Sequence, residues 1–566
     1  MDVIALRKRS GTITGEVRVN GFPQDRTSFR RCSGYVEQFS VQSPELTVRE
    51  TVLFSARLRL DRNVIESNEK VLAFADQVIE SVELTELAGS LVGSDEGVGL
   101  SFEQKKRLSI AVELAASPSI VFLDEPTSGL DARSALLVVR LLRKISNEGR
   151  TVTATIHQPS STIFGMFDDL LLLKRGGEVV YHGELGENCQ SLVNYFESKG
   201  APEIALGDNP ANWMLRVITS ESMGDLSQAY KESTQYTKLK QELEEAKASP
   251  SEELKIEFDS EFAASKSTRG LLIAQRLRTI YWRSPAYNLS RVMLSLMMAI
   301  ILGSVFVIQY GKDVFTEVEI RARFSVVFLA FIIIGIMSMF SVLPVMTKIR
   351  DMYYRHSDSG MYDSRSIGIA LVLAEKWFIV GSSMLFCVVF LAIADLGGSF
   401  QQLFWFWGFF ALNSALYSYF GQLFVACVEP ARTAIILCSV YIGLNNFFAG
   451  LIVRPQEMNT GFFMLPYSIT PGRYVYEGMI TSIFSNDDRL VEVVEGDLFY
   501  DFLVDNGYCQ ASSVGCEGTV SNYVEYFFGG EYQRDNILRN AIILGGILVL
   551  ARILLWAALK YIRFSN

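Results

Sequence analysis

Two adjacent carboxylates, Asp124 and Glu125, directly follow an apolar run at 120–123 that is typical of a buried strand. A nucleoside triphosphate with Mg²⁺ requires one carboxylate near the metal and one group near the attacking water. Asp124 at the strand end can serve the metal, and Glu125 points to another side, where it can orient or deprotonate water. The pair predicts nucleotide chemistry, whereas a lone Asp-Glu pair is most often a solvated strand end.

Three other positions offer groups that suit the same chemistry. The run 151–156 ends in His157, which could contact a γ-phosphate, and the run 34–38 ends in Gln38, which could sense the metal and the water. A helix predicted to start near Ser101 offers free N–H groups and a positive dipole end, both suited to phosphate. Each residue alone is more often structural, but their order, spacing and strand-end placement agree.

The surrounding elements indicate an α/β domain. The run 12–20 alternates in hydropathy and ends in an Asn-Gly pair, which predicts a strand followed by a turn. Helical periodicity covers 47–60 and 71–88, between the predicted strands. Strands alternating with helices predict a sheet with its chemistry at the carboxyl ends of the strands.

Two motifs carry a family resemblance. The stretch 123–131 (LDEPTSGLD) resembles the Walker B motif and D-loop of ABC ATPases, and 100–104 (LSFEQ) resembles their signature motif. His157 matches their switch histidine and Gln38 their Q-loop glutamine. The resemblance implies ATP and Mg²⁺ as cofactors, Glu125 and His157 as catalytic residues, and Gln38 and Asp124 as the groups near the metal. It assigns nucleotide binding to Gln38, Ser101, Glu103, Gln104, Asp124 and Asp131.

Four further segments narrow the resemblance to the G subfamily of ABC transporters. They are GYVEQ at 34–38, TIHQPS at 155–160, LKRGG at 173–177 and NPANWML at 209–215. Over essentially its whole length the chain is similar to the second half of a pleiotropic drug resistance (PDR) transporter. This implies an ATP-driven exporter half for amphipathic or apolar small molecules or lipids. Its partners would be a second ABC half, membrane lipids and the hydrophobic substrate.

The chain departs from the family pattern in two ways. Glu103 stands where the family signature has glycine, and a carboxylate there would repel a triphosphate, so a weak site is expected. No G-x-x-x-x-G-K-[ST] segment occurs in the 566 residues, so the Walker A phosphate loop and its Lys are missing. We expect a chain truncated just after Walker A. The alternatives are a non-hydrolysing partner or regulatory membrane protein and a homodimeric half-transporter.

Composition divides the chain into two domains. Residues 1–265 have the charged composition of a globular domain and a linker, whereas 266–566 contain uncharged runs that reach the length of membrane spans. The predicted fold is an N-terminally truncated α/β P-loop ATPase domain of the ABC type, followed by an all-α six-helix transmembrane domain of the ABC-2/G-subfamily type. A connecting helix is predicted at 268–285. The predicted spans are 287–309, 323–346, 368–394, 401–427, 432–453 and 541–561.

Charge distribution predicts the orientation. Between 453 and 540 there are thirteen acidic and five basic residues, whereas basic residues gather before the first span, at 348–365 and at the C-terminus. The positive-inside rule then places the nucleotide-binding domain in the cytosol and the loop 453–540 outside. The plasma membrane is expected by analogy with the family. A net charge of −10 argues against nucleic acid as a partner.

Several residues of the membrane half are candidates for function. Cys509 and Cys516 could form a disulfide in the outer loop or remain free thiols. Glu375 and Arg552 are ionisable groups near or within spans and therefore functional candidates, with snorkelling as the alternative for Arg552. The resemblance assigns the second and fifth spans to a central cavity with a hydrophobic plug, and ordinary helix packing or lipid contact is the alternative. Predicted cavity residues are Ile334, Met337, Tyr441, Leu444, Asn445 and Phe448, and predicted plug residues are Leu451 and Ile452.

Overall fold

The computed structural model describes residues 1–8, 11–39, 41–61, 67–94, 99–248, 250–458, 461–508 and 517–564. It divides into two compact units. The first unit contains Met1–Arg269 and the short segment Arg355–Tyr362, and the second contains Gly270–Tyr354 and Asp363–Asn566. Cys509 and Cys516, the candidate disulfide, lie outside the described residues.

The described strands are short. They are β1 Arg18–Val19, β2 Phe22–Pro23, β3 Ser33–Val36, β4 Ile120–Leu123, β5 Thr151–Ala154, β6 Asp169–Leu173, β7 Val179–Glu184, β8 Val314–Phe315, β9 Leu490–Val491 and β10 Gly518–Thr519. The first ten helices are α1 Arg26–Cys32, α2 Val48–Arg59, α3 Asn68–Ser81, α4 Phe102–Leu114, α5 Ala132–Asn147, α6 Ser161–Phe164, α7 Gln190–Ser198, α8 Pro210–Thr219, α9 Leu226–Lys231 and α10 Thr234–Ala248.

The remaining helices belong mainly to the second unit. They are α11 Lys266–Arg283, α12 Asn288–Ser304, α13 Glu317–Asp358, α14 Ser364–Ile393, α15 Phe400–Cys427, α16 Ala431–Phe447, α17 Pro455–Met458, α18 Met464–Ile469, α19 Pro471–Phe484, α20 Leu498–Asp505, α21 Val520–Phe528 and α22 Asn536–Tyr561.

The central sheet of the first unit is parallel, with strand order β3-β4-β5. Val36, Leu123 and Ala154 stand level in its register, so the chain leaves all three strands at one edge. Helix α4 contacts β3 and helix α5 contacts β5, and Val121 and Leu123 of the central strand β4 have no exposed surface. This arrangement brings the segments after β3, β4 and β5 together.

Local backbone conformation explains two differences from the predicted elements. The strand predicted at 12–20 is only Arg18–Val19, and it pairs with β2 across an Asn20-Gly21 turn in which both residues have positive φ. The helix predicted at 71–88 ends at Ser81, because Glu83 adopts a left-handed conformation (φ 57°) that no right-handed helix can continue.

Each of the six predicted spans lies in a helix, namely α12, α13, α14, α15, α16 and α22. Among the described residues, α13, α14 and α22 are long and apolar enough to cross a membrane. The pair α11 and α12, bent by 57°, would add a fourth span. Helix α16 has only 17 residues, and α15 carries Trp, Tyr, Asn and Gln side chains of low hydropathy. The count of six therefore stays a prediction.

Two strands of the predicted outer loop form a small sheet with β8, which lies before α13. Strands β8, β9 and β10 form a three-stranded sheet in which β9 is central. Helices α18 and α19 of this region meet at Thr470, and Pro471 starts the second of them. An aromatic core with Phe324, Phe484 and Phe528 packs beneath this region.

A charged cluster is buried in the second unit. The carboxylate of Glu375, with no exposed surface, lies 3.5 Å from Arg291 and 3.7 Å from Arg552. Gln422 donates to Glu375 and accepts from Arg552, and the Arg552 guanidinium also stacks over the Tyr419 ring. Arg552 therefore turns inward to Glu375, and the snorkelling alternative for it was wrong.

Candidate nucleotide site

Asp124 and Glu125 directly follow the carboxyl end of β4, and Thr155, which follows β5, forms hydrogen bonds with both. The backbone N–H of Asp124 donates to the Val36 carbonyl at 2.9 Å, which continues the sheet by one residue. Thr155 Oγ1 donates to Asp124 Oδ1 at 2.8 Å and accepts from the Glu125 N–H at 2.9 Å. Glu125 has a φ of 42°, a strained conformation for a residue other than glycine. One hydroxyl therefore orients both acidic residues.

Gln38 and Glu125 are in direct contact. Gln38 Nε2 donates to Glu125 Oε2 at 2.7 Å. This bond leaves the Gln38 amide oxygen and the second oxygen of Asp124 as oxygen groups that could face a metal. Mg²⁺ is usually held by one or two such protein oxygens together with water and phosphate oxygens. The donor set therefore fits Mg²⁺ with a nucleotide. Among the described residues there is no cluster of three or more acidic, His or Cys side chains that could hold a metal alone.

His157 is not part of this hydrogen-bonded group. Strand β5 ends at Ala154, so His157 lies three residues beyond the strand, and its side chain is exposed. Among the described residues it forms no hydrogen bond, and the next residue, Gln158, has a positive φ of 45°. The structure places His157 beside the same edge of the sheet without joining it to Asp124 or Glu125.

Ser101 and Gln104 form the start of α4. The Gln104 N–H donates to Ser101 Oγ at 3.2 Å, and the Ser101 N–H donates to Gln104 Oε1 at 2.9 Å, which is a capping box. The sequence prediction of a helix beginning at this position is correct within one residue. Because the two side chains satisfy each other, they hold the first turn of α4 in place.

The carboxylate of Glu103 has partners within its own domain. It lies 3.1 Å from Arg107 Nε, and Ser134 Oγ donates to it at 3.3 Å. Ser134 is in the first turn of α5, so Glu103 joins the helix of the signature-like segment to the helix after Walker B. An ion pair in this position reduces the negative potential that the carboxylate would present to a phosphate.

Asp131 caps α5. Its carboxylate accepts from the backbone N–H of Ser134 at 2.9 Å, and hydrogen bonds from Ser134 hold the pKa of Asp131 below its usual value. Just before it, Gly129 has a φ of 76°, and a β-carbon there would lie 3.2 Å from the Phe102 ring. The segment 129–131 is therefore packed closely against the start of α4.

Lys106 is a site neighbour that sequence reasoning missed. Its side chain is buried on α4, and Nζ donates to the backbone carbonyl of Gln38. Burial lowers the pKa of Lys106, while the nearby Asp124 and Glu125 oppose that shift. Thr155 was missed as well. Its only sequence signal was its place in the TIHQPS segment, two residues before His157.

The predicted cavity residues do not share one environment. Ile334, Asn445 and Phe448 are buried, whereas Leu444 and Ile452 are more than half exposed. The remaining predicted residues, Met337, Tyr441 and Leu451, are partly buried.

Asn445 has polar partners within the second unit. Its side-chain oxygen accepts from the Gly472 N–H at 2.8 Å, and its amide donates to Tyr417 Oη at 3.0 Å. The need of a membrane amide for hydrogen-bonding groups is therefore met by α15 and α19. Asn445 ties three helices together in this conformation.

Three family models match the chain. Residues 3–128 match the model "ABC transporter", residues 270–484 match "ABC-2 type transporter", and residues 157–215 match a further model of the ABC-2 type. The chain is thus an ABC transporter ATPase domain followed by an ABC-2 type membrane domain. This is the organisation of a half-transporter of the G subfamily.

The similar curated proteins are plant members of that subfamily. ABC transporter G family member 31 of Arabidopsis thaliana is 34% identical over 100% of this chain and 38% of its own length. Members 38 and 48 of Oryza sativa subsp. japonica are 36% and 37% identical, over 87% and 89% of this chain and 33% and 35% of their own lengths. The chain spans about a third of the length of these relatives.

Proposed function

We propose that this chain is one half of an ATP-driven exporter that moves amphipathic or apolar small molecules or lipids across a membrane. The observation that carries the proposal is the bonded group of Gln38, Glu125, Asp124 and Thr155 at the end of a parallel sheet. In this group Asp124 and the Gln38 oxygen would hold Mg²⁺ together with the nucleotide, and Glu125 would orient the attacking water. A second ABC half completes the nucleotide site.

The finer proposals follow from the same reading. The ATPase domain covers 1–265 and lies in the cytosol, and the membrane domain covers 266–566 with six spans. The PDR type and the plasma membrane are proposed from the sequence resemblance. The proposed cavity is lined by residues of the second and fifth spans, and it binds the hydrophobic substrate.

ATP hydrolysis by the full chain in lipid nanodiscs tests the proposal. We expect Mg²⁺-dependent hydrolysis that Glu125→Gln reduces by at least 100-fold, on the order of what a catalytic acid-base group contributes. Glu244→Gln is the matched control, because Glu244 is exposed on α10. Hydrolysis that is unaffected by Glu125→Gln would contradict the assigned role.

The second candidate is a non-hydrolysing partner, which the lack of a G-x-x-x-x-G-K-[ST] segment in the 566 residues favours. It predicts no nucleotide binding by this chain and normal assembly with a complete ABC half. Full-length transcript sequencing upstream of the Met1 codon separates the two candidates. A continuous reading frame that encodes a phosphate loop supports the exporter half, and a verified start at Met1 supports the partner.

A further inference from the structure

Helices α14 and α22 of the second unit run in opposite directions. Arg365, in the first turn of α14, lies over the Trp556 ring of α22. Further along α14, Glu375 lies 3.7 Å from Arg552, which precedes Trp556 on α22. Lys560 is in the last turn of α22. The start of α14 and the end of α22 therefore bring basic side chains from two helices to one place.

Both basic side chains contact the ring of Trp556. The guanidinium carbon of Arg365 is 5.2 Å from the ring centroid, and Lys560 Nζ is 5.4 Å from a ring centroid of the same residue. The negative face of an indole ring attracts a cation. Two like charges beside one ring also repel each other, and an anion bound near both would reduce that repulsion.

The structure provides no acidic partner for this group. Across the described ranges of the chain, neither Arg365 nor Lys560 forms an ion pair, and Lys560 Nζ donates to the neutral hydroxyl of Tyr561 at 3.0 Å. The indole N–H of Trp556 is buried and has no acceptor among those same residues, although a buried indole N–H usually has one. Two positive charges and one donor thus await a group with several acceptor oxygens.

The chain just after α22 is held in place by the end of α13. Tyr354 Oη donates to the Ile562 carbonyl at 3.2 Å, and the guanidinium carbon of Arg350 lies 5.2 Å from the centre of the Phe564 ring. These contacts fix the path of the backbone directly beyond Lys560. The basic residue therefore stands on an ordered helix end rather than on a free tail.

Apolar side chains continue from the basic group along both helices. On α14, Ile369 and Leu373 follow Arg365 at helical spacing. On α22, Ile553 precedes Trp556 by one turn. All three apolar side chains are exposed, Ile369 and Ile553 by more than half. An apolar surface that ends in basic groups suits a molecule with acyl chains and an anionic head.

We propose that Arg365, Lys560 and Trp556 form a binding site for the headgroup of an anionic phospholipid. The two basic side chains pair with its negative charges, and the indole N–H donates to a phosphate oxygen after a change of side-chain rotamer. In the proposed orientation the site faces the cytosolic leaflet, which carries the anionic lipids. The inference goes beyond the proposed function, because this lipid is a resident ligand of the membrane domain rather than its cargo.

Lipid binding to the full chain in detergent micelles, measured by native mass spectrometry, tests the proposal. We expect phosphatidylglycerol to bind about 25-fold more tightly than phosphatidylcholine, because each of two basic residues near the headgroup contributes about fivefold. Arg365→Gln and Lys560→Gln should each lower this preference about fivefold, and the double variant should abolish it. Trp556→Phe keeps a ring and loses the donor, so it should weaken phosphatidylglycerol binding about fivefold.

Arg432→Gln is the matched control. Arg432 is exposed at the start of α16, so this variant removes the same charge from a different helix on the same proposed side of the membrane. The preference for phosphatidylglycerol should remain unchanged. A loss equal to that of Arg365→Gln would indicate general attraction to the protein surface and would overturn the site.

Inorganic phosphate in excess, at constant ionic strength, separates the lipid from free phosphate. It should displace little phosphatidylglycerol, because it cannot contact the apolar surface of α14 and α22. Complete displacement, or a wild-type chain without preference for the anionic lipid, would overturn the proposal. If the double variant does not fold, the two single variants and Trp556→Phe decide the result. The measurement requires neither ATP hydrolysis nor a defined orientation, so failure of the proposed function would leave it unaffected.

Discussion

At the scale of single residues, Thr155 has the most specific role in the nucleotide site. Its hydroxyl contacts both acidic residues, donating to Asp124 and accepting from the Glu125 backbone. Neither contact could be read from motif spacing, because Thr155 is 30 residues from Glu125 along the chain. The residue fixes the direction of the Asp124 carboxylate, for which we propose a role near Mg²⁺, and contacts the strained backbone of Glu125.

Thr155→Val keeps the side-chain shape and removes the hydroxyl. We expect a loss of about 1 kcal/mol in the free energy of unfolding of the first unit and weaker Mg²⁺ dependence of any hydrolysis. Thermal unfolding and a Mg²⁺ titration measure the two effects. Thr153→Val, within β5 and exposed, should be neutral. Equal effects from both variants would refute the role of Thr155.

In the membrane half, Glu375 connects several polar side chains, as Thr155 does in the nucleotide site. Glu375→Gln removes the charge that pairs with Arg291 and Arg552 and leaves both guanidinium groups buried beside a neutral amide. We expect destabilisation of about 3 kcal/mol, the range for breaking a buried pair. Thermal unfolding in detergent measures it, with exposed Lys376→Gln as control. A melting temperature equal to that of the control would count against a stabilising cluster.

At the scale of elements, small residues determine where the helices of the membrane half can approach one another closely. Gly478 on α19 faces Phe409 on α15, and a β-carbon at Gly478 would lie 2.4 Å from the Phe409 ring. Ring and backbone therefore occupy the space that any other residue would need. Asn445 adds a polar connection between α16 and the start of α19 at Gly472.

Gly478→Ala should destabilise the second unit by about 1–3 kcal/mol, because the core is already filled at this contact. Gly443→Ala is the matched control, since a β-carbon at Gly443 meets nothing within 4 Å. The control should be neutral or should stabilise α16 by up to about 1 kcal/mol. Thermal unfolding of both variants decides the matter, and a larger loss for Gly443→Ala would contradict the packing argument.

At the scale of the whole molecule, the proposed orientation can be tested by accessibility. In a background of Cys509→Ser and Cys516→Ser, a membrane-impermeant maleimide should label Leu498→Cys in intact cells, because Leu498 is exposed in the proposed outer loop. Lys199→Cys, in the proposed cytosolic domain, should be labelled only after permeabilisation. Labelling of both positions in intact cells would rule out this orientation.

Much of the architecture could be predicted from local pattern. The Asn-Gly turn, the Ser101 cap and the strand before Asp124 depend on neighbouring residues, and all three occur where they were predicted. The end of α3 could not be predicted, because nothing in the helical periodicity indicates that the backbone of Glu83 adopts a left-handed conformation. The charge of Glu103 predicts repulsion of a triphosphate. Its partners Arg107 and Ser134, which reduce that effect, could not be identified from the sequence.

The sequence by itself determined the order of the motifs, the helical segments of the membrane half and the placement of acidic groups at strand ends. These follow from local hydropathy and from residue spacing, which act within a few turns or one strand. Only the tertiary structure decided that Thr155 orients Asp124, that Arg552 turns inward to Glu375, and that Lys106 is buried against Gln38. Such contacts join residues far apart in sequence, and a charge is buried only where folding provides its partner.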